Sequence, residues 1–284
     1  MEFINKMLAV IVLYNSKLED SKTFTSLSLA LNNHTNDLDL FVYDNSAKAN
    51  YEYEKLKLRN YNIIYYHDKD NPGVSRAYNV AARYGLRLSK KWLMLLDQDT
   101  NFDENIFSSY QKNIESNPGI KLFVPVIKLP DGRIFSPSKY RFKRGFHLRK
   151  IKPGLQSLKK LSPVNSGMLI DLKSFFVVGG YNEKVKLDFS DFQFISRFKK
   201  VFNQFIVVSS SAIQEFSDNS QDVSQQLNRF RIYCECAKSC SIGDVWELWQ
   251  YSLISFLRAF KLVFRFKTHK FVKIWFNSFL LFRP

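Results

Sequence analysis

Two aspartates that follow a predicted buried strand are the residues best placed to do chemistry. Apolar residues 92–96 run directly into Asp97, Gln98 and Asp99. A short, continuous apolar run predicts a strand that is buried on both faces, and an open α/β sheet binds its ligands at the carboxyl ends of such strands. Carboxylates there are suitable ligands for a divalent cation that also contacts phosphate oxygens. A turn rich in Asp is the alternative, and this segment alone leaves both open.

The pattern around this segment predicts the sheet that would position the two aspartates. Continuous apolar runs alternate with segments of helical spacing, which is typical of a doubly wound, mostly parallel α/β sheet. Strands are expected at residues 7–14, 38–43, 61–66, 93–96, 121–129, 165–170 and 205–209. Helices are expected at residues 21–31, 74–88, 105–114, 172–178 and 192–200.

The composition indicates a globular protein that meets a polyanion. The 284 residues are 45% hydrophobic, carry a formal net charge of +16 and include 27 Phe. Such a basic, aromatic-rich chain favours either nucleic acid or an anionic membrane as a partner. The segment 139–160 is rich in Lys and Arg and contains no acid. Nucleic-acid binding without catalysis therefore stays open as an alternative, although no RRM, KH, helix-turn-helix or zinc module is recognisable.

The C-terminal stretch, residues 244–283, contains no Gly or Pro and has the pattern of a basic amphipathic helix. One helical face carries Phe256, Phe260, Val263 and Phe264, and another carries Arg258, Lys261 and Arg265. Such a helix lies in a membrane interface, and no run of 18 apolar residues predicts a helix that spans a bilayer. The rival hypothesis is a helical arm that packs on the rest of the chain or on a second copy. Three nearby cysteines, an odd number, favour reduced, packed thiols and a cytosolic protein.

Several further segments resemble the family-2 inverting glycosyltransferases, which have the nucleotide-diphospho-sugar-binding fold called GT-A. The resemblance covers residues 7–220 and lies in the order and spacing of short motifs. They are the opening strand, Asp44-Asn45-Ser46, the segment 71–79 (NPGVSRAYN), Asp97-Gln98-Asp99, Asn165-Ser166-Gly167, Gly179-Gly180 with the following Tyr-Asn-Glu, and Asp188-Phe-Ser-Asp191. The Leu-Asp-Gln-Asp wording and the Asp-x-x-Asp spacing resemble the bacterial rhamnosyltransferase branch.

The resemblance implies roles for the residues that would bind a nucleotide sugar. Asp44 would accept hydrogen bonds from the base or ribose, with a turn-shaping Asp as the alternative. Asn71, Gly73 and Arg76 lie at a predicted helix start that would face the diphosphate. The donor contacts implied by the resemblance also include Tyr14, Gln98 and Asp97, the last through the ribose.

The resemblance also implies a metal site and a catalytic base. Mg²⁺ or Mn²⁺ would be held by Asp99 and Asp97. Gln214-Glu215 stands where many relatives carry a metal-binding His, so Glu215 is the candidate third ligand, and a metal held by fewer protein groups is the alternative. Asp191 is the expected base, since Arg197 follows it by the six positions that the family uses. Asp188 is the second candidate base. Both Asp188 and Asp191 have an alternative role as caps of the helix at 192–200.

The resemblance implies an inverting, metal-dependent glycosyltransferase, with rhamnose from dTDP-rhamnose as the expected donor sugar. The expected acceptor is a polyprenyl-diphosphate-linked saccharide, in bacterial O-antigen or capsule synthesis, at the cytoplasmic face of the cell membrane. We expect a GT-A catalytic domain at 1–220 and a membrane-associating helical region at 221–284, with no nucleic-acid partner and a possible homodimer. A nucleotidyltransferase is the remaining alternative, although residues 14–18 lack the Gly-rich loop that such enzymes carry after their first strand.

Overall fold

A computed structural model describes residues 2–32, 34–52, 55–215, 222–241 and 244–280 of the chain. Its helices and strands follow in this order: α1 Glu2–Asn5, β1 Met7–Leu13, α2 Lys22–Leu31, β2 Leu38–Asp44, β3 Lys55–Leu58, β4 Tyr61–His67, α3 Val74–Arg87, β5 Trp92–Asp97, β6 Thr100–Phe102, α4 Ile106–Ser116, β7 Leu122–Lys128, β8 Ile134–Arg141, β9 Arg144–Leu148, β10 Gly154–Ser157, β11 Leu169–Asp171, α5 Leu172–Val177, α6 Ser190–Val201, β12 Gln204–Gln214, α7 Val223–Cys240, α8 Val245–Phe266 and α9 Lys270–Phe279.

One large mixed sheet organises the fold. Its strands lie in the order β10-β12-β7-β11-β5-β1-β2-β4-β3. The neighbours β5, β1, β2 and β4 are parallel, β7 is parallel to β12, and β11 runs antiparallel between β5 and β7. The predicted α/β class with a mostly parallel sheet is confirmed, and the antiparallel strands, among them β3, β10 and β11, are the difference.

The two faces of the sheet bury alternate residues of the same strands, which is why those strands are apolar throughout. Met7, Ala9 and Ile11 of β1 pack in one cluster with α2 and α4. Leu8 and Val10 of β1 pack in a second cluster with α3, α5 and α6. A strand covered on both faces has no solvated side, so its pattern does not alternate.

The basic segment 139–160, to which the sequence analysis assigned no helix or strand, contributes strands to this sheet. It contains the β8–β9 hairpin, whose two-residue turn is Phe142-Lys143 with φ values of 47° and 56°. Both residues are in the left-handed region, as a hairpin turn of the type I′ class requires. The predicted strand at 165–170 is wrong in its first half, since regular pairing begins only at Leu169.

Three C-terminal helices, α7, α8 and α9, pack on one another and on the segment before α6. Two clusters join them, one around Cys236 and Tyr251 with Val185 and one around Phe230 with Phe271. The cysteines are free and buried, in agreement with the packed-thiol hypothesis. The predicted domain boundary at residue 220 lies outside the described residues, as does Arg283 of the predicted basic face. Within the described ranges, no helix has the length and apolarity needed to cross a bilayer.

Candidate active site

The carboxyl ends of three parallel strands bring the predicted site residues to one edge of the sheet. In the register of β1 with its neighbours, Val12 is paired with Asp97 of β5 and Leu13 with Asp44 of β2. Asp97 and Asp44 therefore flank the end of β1 on opposite sides. The predicted position of the site at this sheet edge follows directly from the parallel topology.

Asp97 and Asp99 lie together in a poorly solvated environment. Burial and, to a smaller extent, the charge of Asp99 raise the pKa of Asp97 to about 7, against the opposing effect of hydrogen bonds from Tyr78 and Gln214. Burial also raises the pKa of Asp99. Tyr78 Oη donates to Asp97 Oδ1 over 3.1 Å. Two desolvated carboxylates side by side are stabilised by a proton or by a cation, so the pair fits a divalent metal.

Gln214, at the end of β12, is the side chain that contacts both aspartates. Its Nε2 lies 3.5 Å from Asp97 Oδ2 and 3.3 Å from Asp99 Oδ1. Its Oε1 is buried without a hydrogen-bond partner. Because the two ends of an amide side chain are nearly isosteric, a rotation of Gln214 would present this oxygen to a cation between the aspartates.

Glu215, the predicted third metal ligand, is turned elsewhere. Its carboxylate forms an exposed ion pair with Lys22 Nζ at 2.6 Å. In the part of the chain that the structure describes, no group of three His, Cys, Asp or Glu side chains is arranged to hold a metal ion. Gln214 Nε2 is the side-chain group in contact with both Asp97 and Asp99, and the role of Glu215 as a metal ligand stays a prediction.

Asp191, the predicted base, lies in the first turn of α6. Burial, together with the charges of Asp97 and Asp188, raises its pKa to about 7, against the opposing effect of the Phe192 backbone N–H. That N–H donates to Asp191 Oδ1 over 2.7 Å. A carboxylate with a pKa near neutrality is well matched to accept a proton from a hydroxyl group.

Asp188, the second candidate base, is engaged in ion pairs. Both terminal nitrogens of Arg229 donate to its carboxylate, and Arg258 Nη1 lies 3.9 Å from Asp188 Oδ1. A carboxylate held by two guanidinium groups has few lone pairs left for a substrate proton. We assign Asp188 to attachment of α7 and α8. Neither aspartate caps α6, because that helix begins after Phe189, which lacks a side-chain capping bond.

Arg197 binds protein backbone and not the site. Its Nη1 donates to the carbonyl of Val178 over 2.7 Å and its Nη2 to the carbonyl of Gly180 over 2.6 Å. Gly180 has φ 61°, and a Cβ there would lie 2.6 Å from Asn79 Oδ1. The spacing from Asp191 to Arg197 therefore serves to fix the Gly179-Gly180 turn beside α6.

Asp44 shapes its own loop. Its Oδ1 accepts from Ser46 N over 2.9 Å, and its Oδ2 accepts from the Tyr65 hydroxyl over 2.6 Å and from Asn50 Nδ2 over 2.8 Å. Burial alone would raise the pKa of Asp44, but these hydrogen bonds hold it below its usual value. The turn-shaping alternative accounts for these contacts, and binding of a nucleotide base stays a prediction.

Gln98 and Tyr14 join two neighbouring strand ends. Tyr14 N donates to Gln98 Oε1 over 2.9 Å, and Gln98 Nε2 lies 3.4 Å from the carbonyl of Tyr14. The Tyr14 ring is 53% exposed. This bond fixes the backbone after β1 and leaves an aromatic side chain at the sheet edge, which is available for stacking on a ligand.

The start of α3 is packed against protein. Gly73 has φ 90°, and a Cβ there would lie 2.2 Å from the carbonyl oxygen of Lys186. Val74 N donates to that same oxygen over 2.8 Å. Gly73 is therefore explained by this close approach, and Asn71 by its own left-handed φ of 45°. The expected diphosphate contact at this helix start is not needed to explain either residue.

Arg76 is half-exposed and faces two carboxylates. Its Nε lies 3.7 Å from Asp68 and its Nη1 lies 3.9 Å from Glu183. These are long, solvated pairs of small energetic value, so the guanidinium remains open to an anionic ligand.

Sequence reasoning missed the tyrosines that enclose the aspartates. Tyr78 and Tyr181 are buried, and their rings lie 5.2 Å apart. Tyr181 stacks on Phe194 of α6 at 4.4 Å, and its hydroxyl donates to Asn165 Oδ1 over 2.6 Å. The position of Tyr78 in the 71–79 motif was a signal for it, whereas Tyr181 lies in a loop whose partners are distant in sequence.

Comparison with known proteins identifies the fold. No protein-family profile matches the chain, and no characterised protein matches its sequence. Solved structures of S. aureus TarS do match. TarS 1–349 aligns over 96% of this chain and 78% of its own with 15% identity and a TM-score of 0.56. Its complex with UDP-GlcNAc aligns over 96% and 79% with 13% identity and a TM-score of 0.57.

A longer TarS structure gives the same result with a difference in length. It aligns over 87% of this chain with 14% identity and a TM-score of 0.54, but this chain spans only 42% of it. The likeness is in the fold, since fewer than one residue in six is identical. With its large, mostly parallel sheet, the chain has the same fold as the TarS structures, the fold called GT-A.

Proposed function

We propose that this protein is an inverting glycosyltransferase that moves a sugar from a nucleotide diphosphate to an acceptor hydroxyl. One observation supports this most strongly: the two carboxylates Asp97 and Asp191 lie near each other at the ligand-binding edge of a GT-A sheet, and burial raises the pKa of each to about 7. Strongly perturbed, neighbouring carboxylates are typical of catalytic sites.

Asp191 acts on the acceptor in this proposal. Its carboxylate takes the proton from the acceptor hydroxyl while that oxygen bonds to the anomeric carbon of the sugar. The bond from that carbon to the diphosphate breaks on the opposite side, so the configuration inverts. Tyr78 and Tyr181 exclude water around the aspartates, because both are buried beside them, and water exclusion protects the donor from hydrolysis.

Asp97, Asp99 and Gln214 would hold Mg²⁺ or Mn²⁺, which neutralises the negative charge of the diphosphate. The residues fit such an ion, since two carboxylates lie together there beside the Gln214 amide, whose unpartnered oxygen would face the ion after rotation of the amide group. Tyr14, with its exposed ring, would stack on the nucleotide base, and Asp44 would hold the loop beneath it. Gln98 would keep these two strand ends in register.

The donor sugar and the acceptor are parts of the same proposal. We propose rhamnose from dTDP-rhamnose as the donor, on the Asp-x-x-Asp spacing of 188–191, and a polyprenyl-diphosphate-linked saccharide at the cytoplasmic face of the cell membrane as the acceptor, in O-antigen or capsule synthesis. UDP-GlcNAc is the donor to compare with dTDP-rhamnose, because TarS has been crystallised with UDP-GlcNAc.

A thermal-unfolding panel tests the donor site. Wild-type protein is heated with UDP, dTDP or GDP, each with and without Mg²⁺ or Mn²⁺, and a ligand at 100 times its dissociation constant adds about 2.7 kcal/mol of stability. We expect stabilisation by dTDP only with metal. Asp99→Asn should lose it, whereas Asp131→Asn, at an exposed turn, should keep it. Full metal-dependent stabilisation of Asp99→Asn would refute the metal assignment. Stabilisation by UDP and not by dTDP would refute dTDP-rhamnose as the donor.

A further inference from the structure

One face of α8 exposes a row of large apolar side chains. We call this row the outer stripe: Trp246, Trp249, Leu253, Leu257, Phe260 and Phe264, which are between 42% and 69% exposed. They recur every three or four residues, so they share one helical face. The stripe extends over about 27 Å of helix at 1.5 Å per residue.

The outer stripe is not part of the folding core. The opposite face of α8 already packs on α7 and α9 through Tyr251, Ile254 and Leu262. A single exposed Leu is ordinary in a protein surface, but six large apolar residues on one face form a contiguous patch of the kind that marks an interaction site. The face expected from the sequence was partly different: Phe260 and Phe264 point outward, whereas Phe256 contacts Trp275 of α9 at 4.8 Å.

The residues around the outer stripe are basic. Exposed positions of α8, α9 and the turn between them carry Lys261, Arg265, Lys267, Lys270 and Lys273. The two acids between 244 and 280 have partners: Asp244 caps α8, and Glu247 pairs with Lys143. A second copy would bring the same positive charges together, whereas an anionic bilayer attracts each Lys or Arg near its surface.

The β8–β9 hairpin adds its tip to this surface. Lys143 in the turn binds Glu247 and lies over the Tyr251 ring at 5.0 Å. The adjoining turn residue, Phe142, is 79% exposed. The tip therefore places a further aromatic ring, with basic Arg141 and Arg144 beside it, next to the first turns of α8.

We propose that the outer stripe and the Phe142 tip bind an anionic lipid bilayer, with α8 lying in the plane of the interface. Paired aromatic and basic residues suit this position, since the aromatic rings enter the headgroup boundary while the charges meet the lipid phosphates. Trp246 and Trp249 stack at 5.1 Å at one end of the stripe. The proposal refines the membrane location proposed above but does not depend on the transfer chemistry.

The inner face of α8 connects this surface to the candidate base. Arg258 lies near Asp188, and Tyr251 contacts Phe189 with ring centroids 5.3 Å apart. Both contacted residues precede Asp191 by two or three positions. The residues just before the base thus contact the helix whose outer face we propose for the membrane.

Vesicle sedimentation tests the proposal with the full chain. We expect the protein to pellet with phosphatidylglycerol vesicles at low salt and much less at high salt or with phosphatidylcholine alone, because salt screens surface charge. Leu253→Glu with Phe260→Glu should weaken binding at least about tenfold. The matched control is Leu155→Glu with Val201→Glu, two apolar residues of similar exposure away from α8, which should bind as wild type.

Three further measurements make the result decisive. The thermal midpoint and the nucleotide-induced shift of each variant show that its fold and donor site are intact, so a loss of vesicle binding with both retained concerns the stripe alone. Blue-shifted Trp emission on vesicle addition should disappear in Trp246→Phe with Trp249→Phe. Wild-type protein that ignores phosphatidylglycerol vesicles, or a sedimenting dimer that the stripe variant dissociates, would overturn the proposal.

Discussion

Replacing Asp191 by Asn should lower activity and raise stability at the same time. The side chain is held in the first turn of α6, with one backbone hydrogen bond from Phe192 at 2.7 Å. Asn has the same shape but cannot accept a proton at neutral pH. Loss of a positioned base costs about 10²–10⁴-fold in rate, so kcat should fall by that amount while the nucleotide-induced thermal shift stays unchanged.

The stability effect follows from the pKa of Asp191. Burial raises this pKa from 3.8 to about 7 in the folded chain. Between those values the folded state holds a proton that the unfolded state has lost, so the contribution of Asp191 to folding stability falls as the pH rises from about 4 to about 7. At 1.36 kcal/mol for each pH unit between the two values, the cost above pH 7 is at most roughly 4 kcal/mol. Partial solvent access reduces it.

The assay compares unfolding of wild type and Asp191→Asn at several pH values. We expect the variant to be more stable at pH 8, by several degrees in the thermal midpoint, and equal to wild type near pH 4. The activity of the wild type should rise with pH through about 7, as the base loses its proton. Asp103→Asn, which loses hydrogen bonds to Ser211, is the control for a structural carboxylate and should be less stable than wild type.

The reasoning is wrong if Asp191→Asn loses activity but gains no stability at pH 8. In that case the carboxylate is solvated, its pKa is ordinary, and its role is to position other groups. It is equally wrong if the activity of the variant remains within a factor of a few of wild type.

Two other substitutions probe the surroundings of the base. Gln214→Glu should strengthen Mn²⁺-dependent stabilisation and lower the stability of the metal-free protein, because a third carboxylate joins Asp97 and Asp99. Gln214→Leu should abolish the stabilisation by metal. Metal titration followed by thermal unfolding checks both variants, and an unchanged response in Gln214→Leu would show that Gln214 is not part of the metal site. Asp188→Asn should lower the free energy of unfolding by about 3 kcal/mol, since it removes the carboxylate that Arg229 and Arg258 contact in a largely buried place. Below its unfolding temperature, the variant should keep kcat within a few-fold of wild type. A loss of kcat as large as that of Asp191→Asn would make Asp188 the base.

The parallel half of the fold was predictable because its strands are buried on both faces. Continuous apolar runs identified β1, β2, β4 and β5, and the parallel topology then placed Asp44 and Asp97 at one edge. The β8–β9 hairpin was missed for the opposite reason. Its first strand, IFSPSKYR, has no continuous apolar run, and its second strand is exposed. Its Phe142-Lys143 turn also lacks the Asn-Gly or Asp-Gly pair that usually signals a hairpin.

The partners of individual side chains were less predictable than their positions. Asp188 and Asp191 stand three residues apart in one motif, but only contacts from α7 and α8, about 40 and 70 residues later in the chain, distinguish them. Gln214 and Glu215 are adjacent at the end of β12, but the Gln214 side chain contacts both aspartates whereas the Glu215 carboxylate pairs with Lys22. A local pattern contains neither kind of information, because both depend on tertiary packing.

Residues 185–191, which end at the candidate base, contact two other parts of the structure. On one side its Lys186 carbonyl meets the start of α3, where Gly73 permits the approach. On the other side Asp188 holds α7 and α8, and the segment ends at Asp191. The candidate base therefore depends on both the sheet edge that would hold the donor and the helices whose outer face we propose for the membrane. Because Asp188 makes the contacts to α7 and α8, a change at Arg229 should, like Asp188→Asn, lower stability and keep kcat within a few-fold. A Cβ at Gly73 would instead displace the Lys186 carbonyl and with it the segment that carries Asp191.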